Sequence, residues 1–118
     1  MDDVVIEVPE YPEFTKYYRI PAKRGSTCVG HVYLYIHADP VNQPKEKHCA
    51  FVEDLLVDES ARGKGIARKL MEELKKLAVK EGVPKIVLTC NPKRVAARKL
   101  YASMGFVFGP SEKGELKL

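Results

Sequence analysis

The stretch formed by residues 60–70, SARGKGIARKL, holds two glycines and four cationic side chains. It follows an apolar run, FVEDLLV, and precedes residues with helical spacing. Glycines let bare backbone approach a ligand, and the free N–H groups at the positive end of a helix attract an anion. Longer-range attraction comes from the cations Arg62, Lys64, Arg68 and Lys69. The stretch therefore predicts an anion-binding turn suited to a pyrophosphate.

Three phosphate-binding patterns have glycines spaced in a way that RGKGIARKL could match. The pattern G-x-x-x-x-G-K-[ST] is absent. The dinucleotide pattern G-x-G-x-x-G fails because Arg68 stands at the third glycine and no acidic residue closes the next strand. The pattern R-x-x-G-x-A fits with Arg62, Gly65 and Ala67, where Gly63 and Gly65 permit a tight turn. A plain strand-to-helix turn with two glycines is the alternative interpretation.

Two adjacent carboxylates, Glu53 and Asp54, lie within the apolar run 49–57, CAFVEDLLV, which is typical of a central buried strand. Successive side chains of a strand point to opposite faces, so at most one carboxylate should face a reacting group directly. A structural ion pair is the alternative for either residue.

The composition limits the class of protein. The 118 residues, 45% hydrophobic and 31% charged, predict one globular domain over residues 1–118. No apolar run approaches the ~20 residues of a membrane span, and the acidic start MDDVV is unlike a signal peptide. Cys28, Cys49 and Cys90 form no CxxC pair, so neither a disulfide framework nor a metal site is indicated. A cytoplasmic protein with no membrane partner is expected.

Charge is distributed unevenly along the chain. Residues 1–61 carry 6 Lys/Arg and 11 Asp/Glu, a net charge of −5, whereas residues 62–118 carry 14 and 5, a net charge of +9. The C-terminal half therefore suits an anionic ligand, and the N-terminal half a cationic one. Nucleic acid is not an expected partner, because the sequence has no stacking-aromatic or zinc-finger signature.

The elements that must position these residues alternate in type. Strands are predicted at residues 4–8, 15–20, 27–37, 49–57 and 85–90, with short terminal strands in FVFG and ELKL and a polar loop over residues 38–47. The second and third strands should form a hairpin. Apolar residues at helical spacing predict helices over 64–81 and about 93–104, ended by Gly82 and Gly105. Strand, helix and strand over 49–90 form a βαβ unit with parallel strands, which makes the fold α/β with a mixed sheet.

Two segments together, FVEDLLVDESARGKGIARKLMEEL and NPKRVAARKLYASMGF, resemble the GNAT superfamily of acetyl-CoA-dependent N-acetyltransferases over residues 49–108. The resemblance implies parallel central strands that splay apart, two main helices, and the pantetheine arm of acetyl-CoA in the gap. The backbone of Leu55, Leu56 and Val57 would meet pantetheine. The implied pyrophosphate site comprises Arg62, Gly63, Lys64, Gly65, Ile66, Ala67 and Arg68.

The resemblance also implies catalytic residues. Tyr101 matches the family tyrosine that often protonates the departing thiolate, although its place on an apolar helix stripe also fits a core residue. The sequence VEDLLV resembles the E-D-x-x-V variant of the family, in which Glu53 is the candidate base. Either carboxylate, Glu53 or Asp54, or an ordered water, could take the proton.

Further cofactor contacts are expected in the second helix and just before it. The family often has asparagine seven residues before the tyrosine, where this chain has Arg94, and Asn91 lies close by. Arg98 and Lys99 cluster with Arg94 near the place where the family holds coenzyme A. We expect these cations to contact the cofactor.

This sequence is a short form of the family pattern. Members usually place two helices between the first and second strands, but residues 9–26, PEYPEFTKYYRIPAKRGS, contain no amphipathic segment of that length. The acceptor side should therefore be open or completed by a partner subunit. A homodimer would cover the exposed sheet edges.

The predicted function is transfer of an acetyl group from acetyl-CoA to a primary amine. The acceptor could be a polyamine-like small amine, a lysine side chain or a protein N-terminus. The alternative is a non-catalytic CoA-binding or regulatory module that keeps the glycine turn without turnover.

Overall fold

The structure is a computed structural model, and it describes residues 16–37 and 49–118. In chain order the elements are β1 (Lys16–Arg24), β2 (Thr27–His37), β3 (Cys49–Val57), α1 (Ile66–Glu81), β4 (Lys85–Thr89), α2 (Val95–Ser103), β5 (Val107–Phe108) and β6 (Lys113–Lys117). The expected strand over residues 4–8 and the loop over 38–47 lie outside the described residues.

The strands form a six-stranded mixed sheet in the order β1-β2-β3-β4-β6-β5. The predicted hairpin is confirmed, since β1 pairs antiparallel with β2 through contacts such as Tyr17 opposite Tyr35. The predicted βαβ unit is confirmed as well, because β3 and β4 are parallel and α1 connects them. The α/β class and its two main helices therefore follow the sequence pattern.

The two parallel strands separate soon after they meet. Their pairing is confined to Ala50 opposite Ile86 and Phe51 opposite Val87. Beyond those pairs β3 continues to Val57, whereas β4 ends at Thr89 and is paired along its other edge with β6. The splayed parallel strands that the family resemblance implied are present, and the last residues of β3 are left without β4 beside them.

One face of the sheet is covered by α1. The helix contributes the buried side chains Leu70, Met71, Leu74 and Ala78. The sheet contributes, among others, the buried side chains Val32, Leu34, Ile36, Ala50, Val52 and Ile86. The end of α1 is tied to β1 because Glu81 accepts hydrogen bonds from Lys16 Nζ at 2.8 Å and Tyr18 OH at 2.5 Å.

Both helices begin two residues later than predicted. Before α1, Gly65 has a φ of 74°, a left-handed conformation that cannot continue a right-handed helix. Before α2, the Oδ1 of Asn91 accepts a hydrogen bond from the Lys93 backbone N–H at 2.9 Å and holds the chain in a turn. Gly82, with a φ of 75°, ends α1 as expected.

The opposite face of β1, β2 and β3 is open within the described part of the chain. On β3, Phe51 is half-buried and Glu53 is exposed, while their neighbour Val52 is buried. The expectation that β3 is buried on both faces is therefore wrong, because α1 covers only the side that carries Ala50 and Val52. No helix among residues 16–37 and 49–118 is long and apolar enough to cross a membrane.

Candidate active site

A bulge in β3 sets the directions of the acidic side chains. Tyr33 lies opposite Glu53, but His31 lies opposite Leu56, so β3 has one more residue than β2 over this interval. Asp54 occupies the bulge with a φ of 56°, a left-handed conformation that aspartate tolerates better than most residues.

The bulge overturns the expectation that Glu53 and Asp54 point to opposite faces. Regular alternation would have turned Asp54 toward α1, where Val52 is buried. The extra residue instead leaves both carboxylates exposed, and both line one cavity on the open face.

The cavity on the open face has a volume of about 980 Å³ and an aromatic wall. Tyr17 stacks on Tyr33 with ring centroids 5.4 Å apart and meets Tyr35 at 5.0 Å. The ring of His37 meets the ring of Phe51 edge-on at 5.3 Å. We call this space, lined by Tyr17, Tyr33, Tyr35, His37, Phe51, Glu53 and Asp54, the aromatic cavity.

A second cavity, of about 370 Å³, lies between the end of β3 and α2. The end of β3 and the glycine turn form one wall, and α2 with the residue before it forms the other. We call this space, lined by Leu55, Leu56, Val57, Arg62, Ala67, Arg94, Ala96, Ala97 and Leu100, the strand-gap cavity. The β3 residues expected to meet pantetheine and Arg94 are thus brought together, and Ala96, Ala97 and Leu100 were not foreseen.

The glycine turn itself encloses a smaller space of about 110 Å³, lined in part by Gly63, Gly65, Ile66 and Ala67. Gly63 and Gly65 both have left-handed φ values, 77° and 74°. In the described chain no side chain caps α1, and its first turn contains no acidic residue. The positive end of the helix is therefore not neutralised locally, which suits an anionic group.

Arg62 links the two smaller spaces, since it lines both. Its Nε donates a hydrogen bond to the carbonyl oxygen of Val57 at 3.0 Å. This contact braces the turn against the end of β3. The residues therefore fit a molecule with a long arm in the strand-gap cavity and a diphosphate at the turn.

Three other candidates have different surroundings. Lys64 is exposed and is not among the residues that line these cavities. Arg68 Nη2 donates to Ser103 Oγ at 2.5 Å, which joins the start of α1 to the end of α2. Asn91 Oδ1 is used in the turn before α2, and Asn91 does not line the strand-gap cavity.

Tyr101 is buried, with 4% of its surface exposed. Its ring meets Phe106 edge-on at 5.7 Å and lies 6.4 Å from Phe108. Burial raises the pKa of its hydroxyl, the nearby Cys90 raises it further, and Arg94 opposes the rise. The hydroxyl therefore stays protonated at neutral pH, and it lies close enough to Arg94, a lining residue of the strand-gap cavity, to be affected by its charge.

Arg98 has a structural contact that the sequence did not reveal. Its Nε and Nη2 donate to the carbonyl oxygen of Cys90 at 3.0 and 2.6 Å, and its guanidinium lies 3.8 Å from the centroid of the Phe108 ring. The group that was expected to contact cofactor instead fastens α2 to the end of β4 and to β5.

The tyrosine wall was also missed by sequence reasoning, although its signal was available. In HVYLYIH, residues 31–37, polar aromatic side chains alternate with the buried Val32, Leu34 and Ile36. A period of two with aromatics on the solvent face predicts an aromatic surface. Within residues 16–37 and 49–118, no group of three or more His, Cys, Asp or Glu side chains could hold a metal ion.

The fold and the site together define a class: an α/β protein with a ligand gap between splayed parallel strands and a glycine turn at a helix start. The chain belongs to the acetyltransferase (GNAT) family, whose sequence model matches residues 3–106.

The proteins to which this chain is similar include two curated relatives and one solved structure. A probable glucosamine 6-phosphate N-acetyltransferase 2 of Oryza sativa subsp. japonica is 40% identical over 63 residues, which cover 53% of this chain and 34% of the relative. The uncharacterized N-acetyltransferase YycN of Bacillus subtilis (strain 168) is 36% identical over 74 residues, 63% of this chain and 46% of the relative. The chain thus spans between a third and a half of each.

The solved structure is the PaiA N-acetyltransferase from Thermoplasma acidophilum in complex with coenzyme A. It superposes with a TM-score of 0.71 at 22% identity, and the match covers 86% of this chain and 61% of that protein. This likeness establishes the fold.

Proposed function

We propose that this chain is an N-acetyltransferase that transfers an acetyl group from acetyl-CoA to a primary amine. The observation that carries the proposal is the placement of two consecutive residues. Asp54 lines the aromatic cavity and Leu55 lines the strand-gap cavity. An acyl group held at the end of the strand-gap cavity would therefore meet an acceptor held in the aromatic cavity at the bulge.

The donor side of the proposal rests on how well the residues fit coenzyme A. When bound, this co-substrate supplies an activated thioester carbonyl. The end of β3, which has no β4 beside it, offers backbone groups to the pantetheine amides in the manner of an added strand. The glycine turn and the first turn of α1 would hold the diphosphate, with Arg62 and Arg94 adding positive charge.

The acceptor side supplies the proton chemistry. An alkylamine with a pKa near 10.4 is almost fully protonated at neutral pH, so its nitrogen must lose a proton before it can attack. Glu53, which lines the aromatic cavity, accepts the proton from nitrogen directly or through water. The nitrogen then bonds to the carbonyl carbon, the carbon–sulfur bond breaks, and Tyr101 donates its proton to the departing sulfur. The nitrogen releases its second proton, which returns through water to the Tyr101 oxygen, and Glu53 passes the first proton to solvent, so one proton is released per turnover. Proximity of the two reactants accounts for much of the expected rate.

The test is to incubate the protein with acetyl-CoA and a panel of primary amines, and to follow release of free thiol. Release that depends on the amine supports the proposal. Retention of coenzyme A without release under any condition contradicts it and favours a binding module. Glu53→Gln should lower kcat, whereas Glu72→Gln, the same change at an exposed position on α1, should not.

A further inference from the structure

We propose that the aromatic cavity is the acceptor site and selects an alkylamine that carries a second positive charge, held by Asp54 and the rings of Tyr17, Tyr33 and Tyr35. This inference rests on the proposed function and names the substrate class of the same site. It commits to a small organic cation as the occupant of the open sheet face.

The electrostatics of the aromatic cavity favour a cation. Two carboxylates line it, and among its described lining residues none is lysine or arginine. Arg19 lies two residues beyond Tyr17 on β1. Its Nη2 donates to Cys28 Sγ at 3.4 Å and its guanidinium also interacts with Tyr33, but Arg19 is not among the residues that line the cavity. A ligand that carries phosphate or carboxylate would meet the carboxylates of Glu53 and Asp54, and no lysine or arginine among the described lining residues would offset the repulsion.

The aromatic wall favours an organic cation over a metal ion. Tyrosine faces attract alkylammonium groups, and their rings also bury the methylene chain between two charges. Tyr17 is 54% exposed, although its ring packs against both Tyr33 and Tyr35. A volume of about 980 Å³ exceeds what one small amine needs, so a longer chain can be accommodated.

The bulge explains why two charges are recognised instead of one. Glu53 is assigned to the nitrogen that reacts, and a regular strand would have turned Asp54 toward the core. The left-handed residue at position 54 keeps a second carboxylate in the same cavity, where it is free for a distal ammonium group. Asp54 therefore determines specificity in this proposal.

The experiment compares three acceptors of equal chain length: 1,4-diaminobutane, 4-aminobutan-1-ol and 4-aminobutanoate. With acetyl-CoA, we expect kcat/KM to fall in that order, with the diamine at least about tenfold above the amino alcohol. Asp54→Asn keeps a side chain that tolerates the left-handed conformation and removes the charge, so it should abolish most of this preference. The matched control is Asp58→Asn, an exposed aspartate just beyond β3 that lines neither cavity, and it should leave the preference unchanged.

The aromatic contribution is tested at Tyr33. Tyr33→Leu keeps apolar volume but removes the ring, and it should raise KM for the diamine by about fivefold, the size of an ordinary cation–π contact. Tyr33→Phe keeps the ring and should retain the ratio between diamine and amino alcohol. Equal kcat/KM for all three acceptors, or a preference for 4-aminobutanoate, overturns the inference and leaves the acetyltransferase function standing.

Binding without acetyl-CoA separates the two proposals. Titration with 1,4-diaminobutane, followed by the NMR signals of the tyrosine rings, should show saturable shifts that Asp54→Asn weakens. If no amine releases thiol but these shifts occur, the acetyltransferase proposal falls and the cation site stands. If no shifts occur, or if Tyr33→Leu converts a dimer to a monomer, the face does not hold the amine and the inference falls.

Discussion

Arg62 reaches back from the glycine turn to the end of β3, where its Nε lies 3.0 Å from the carbonyl oxygen of Val57. One side chain thus fixes the distance between a strand that lines the strand-gap cavity and the turn proposed to hold a diphosphate. This makes the shape of the side chain as important as its charge.

Arg62→Lys should therefore weaken coenzyme A binding although the net charge is unchanged. Lysine lacks Nε and the planar fork of donors, so it can neither brace Val57 nor grip an anion in two places. We expect the dissociation constant, measured by calorimetry, to rise by about tenfold. Lys64→Ala removes a full charge from the same turn but should change the dissociation constant for coenzyme A by about twofold at most. Equal effects would mean that the turn acts only through charge.

Gly65→Ala tests the backbone of the turn against a matched position. Gly65 and Gly25 both have left-handed φ values, 74° and 62°, and a Cβ would meet no atom within 4 Å at either. Each alanine should therefore lower the free energy of unfolding by about 1–2 kcal/mol through strain alone. Only Gly65→Ala should weaken coenzyme A binding, because its Cβ stands beside the first turn of α1. Equal loss of affinity in both variants would place the ligand elsewhere.

Tyr101→Phe tests the proton donor. The change keeps the ring packed on Phe106 and Phe108 and removes only the hydroxyl, so the denaturation midpoint should move little. With chemistry rate-limiting, kcat should fall by about 100-fold, and coenzyme A affinity should be preserved. Full turnover in the folded variant would make Tyr101 a core residue without a catalytic role.

The pH–rate profile gives an independent check on Tyr101. A proton donor works below its pKa and fails above it, and burial raises the pKa of this hydroxyl above the ordinary value of 10.0. The wild-type kcat should therefore show no loss assignable to Tyr101 as pH rises from 7 to ~10. An ultraviolet difference spectrum in which Tyr101 ionises below pH ~9 would contradict the raised pKa of its hydroxyl.

Arg98→Lys should separate stability from binding. Lysine cannot reproduce the paired hydrogen bonds to the Cys90 carbonyl oxygen or the stacking on Phe108. We expect a loss of about 2 kcal/mol in the free energy of unfolding, measured with denaturant. The dissociation constant of the folded variant for coenzyme A should change by less than about twofold, which corresponds to a few tenths of a kcal/mol in binding free energy. Lost affinity at unchanged stability would restore Arg98 as a cofactor contact.

The regular parts of the fold could be predicted from the sequence because they rest on periodicity. Alternation in residues 27–37 and the spacing of Leu70, Leu74 and Ala78 each identify one buried face, and the structure has both. The βαβ connection then makes β3 and β4 parallel. The short pairing of these strands was implied by family resemblance and not by the pattern of residues.

The irregular parts were not predictable, for local physical reasons. The segment VEDLLV is typical of a regular strand. Nothing in it indicates that the backbone of Asp54 adopts a left-handed conformation, which keeps its side chain out of the core. The charge of Arg98 is visible in the sequence, but the Cys90 carbonyl oxygen that it binds is a backbone group of another element. The first turns of both helices were misplaced because Gly65 and Asn91 stabilise turns that have no periodic signature.

The extra residue in β3 is taken up locally by the bulge. Tyr33 lies opposite Glu53 and His31 opposite Leu56, so two residue steps on β2 set the distance that three steps on β3 cover. A chain without Asp54 could keep both pairings, with Glu53 and Leu56 on one side and Leu55 and Val57 on the other. The glycine turn would then stay at the same distance from Glu53. The bulge therefore adds a carboxylate to the aromatic cavity without changing the spacing between the proposed base and the proposed diphosphate site.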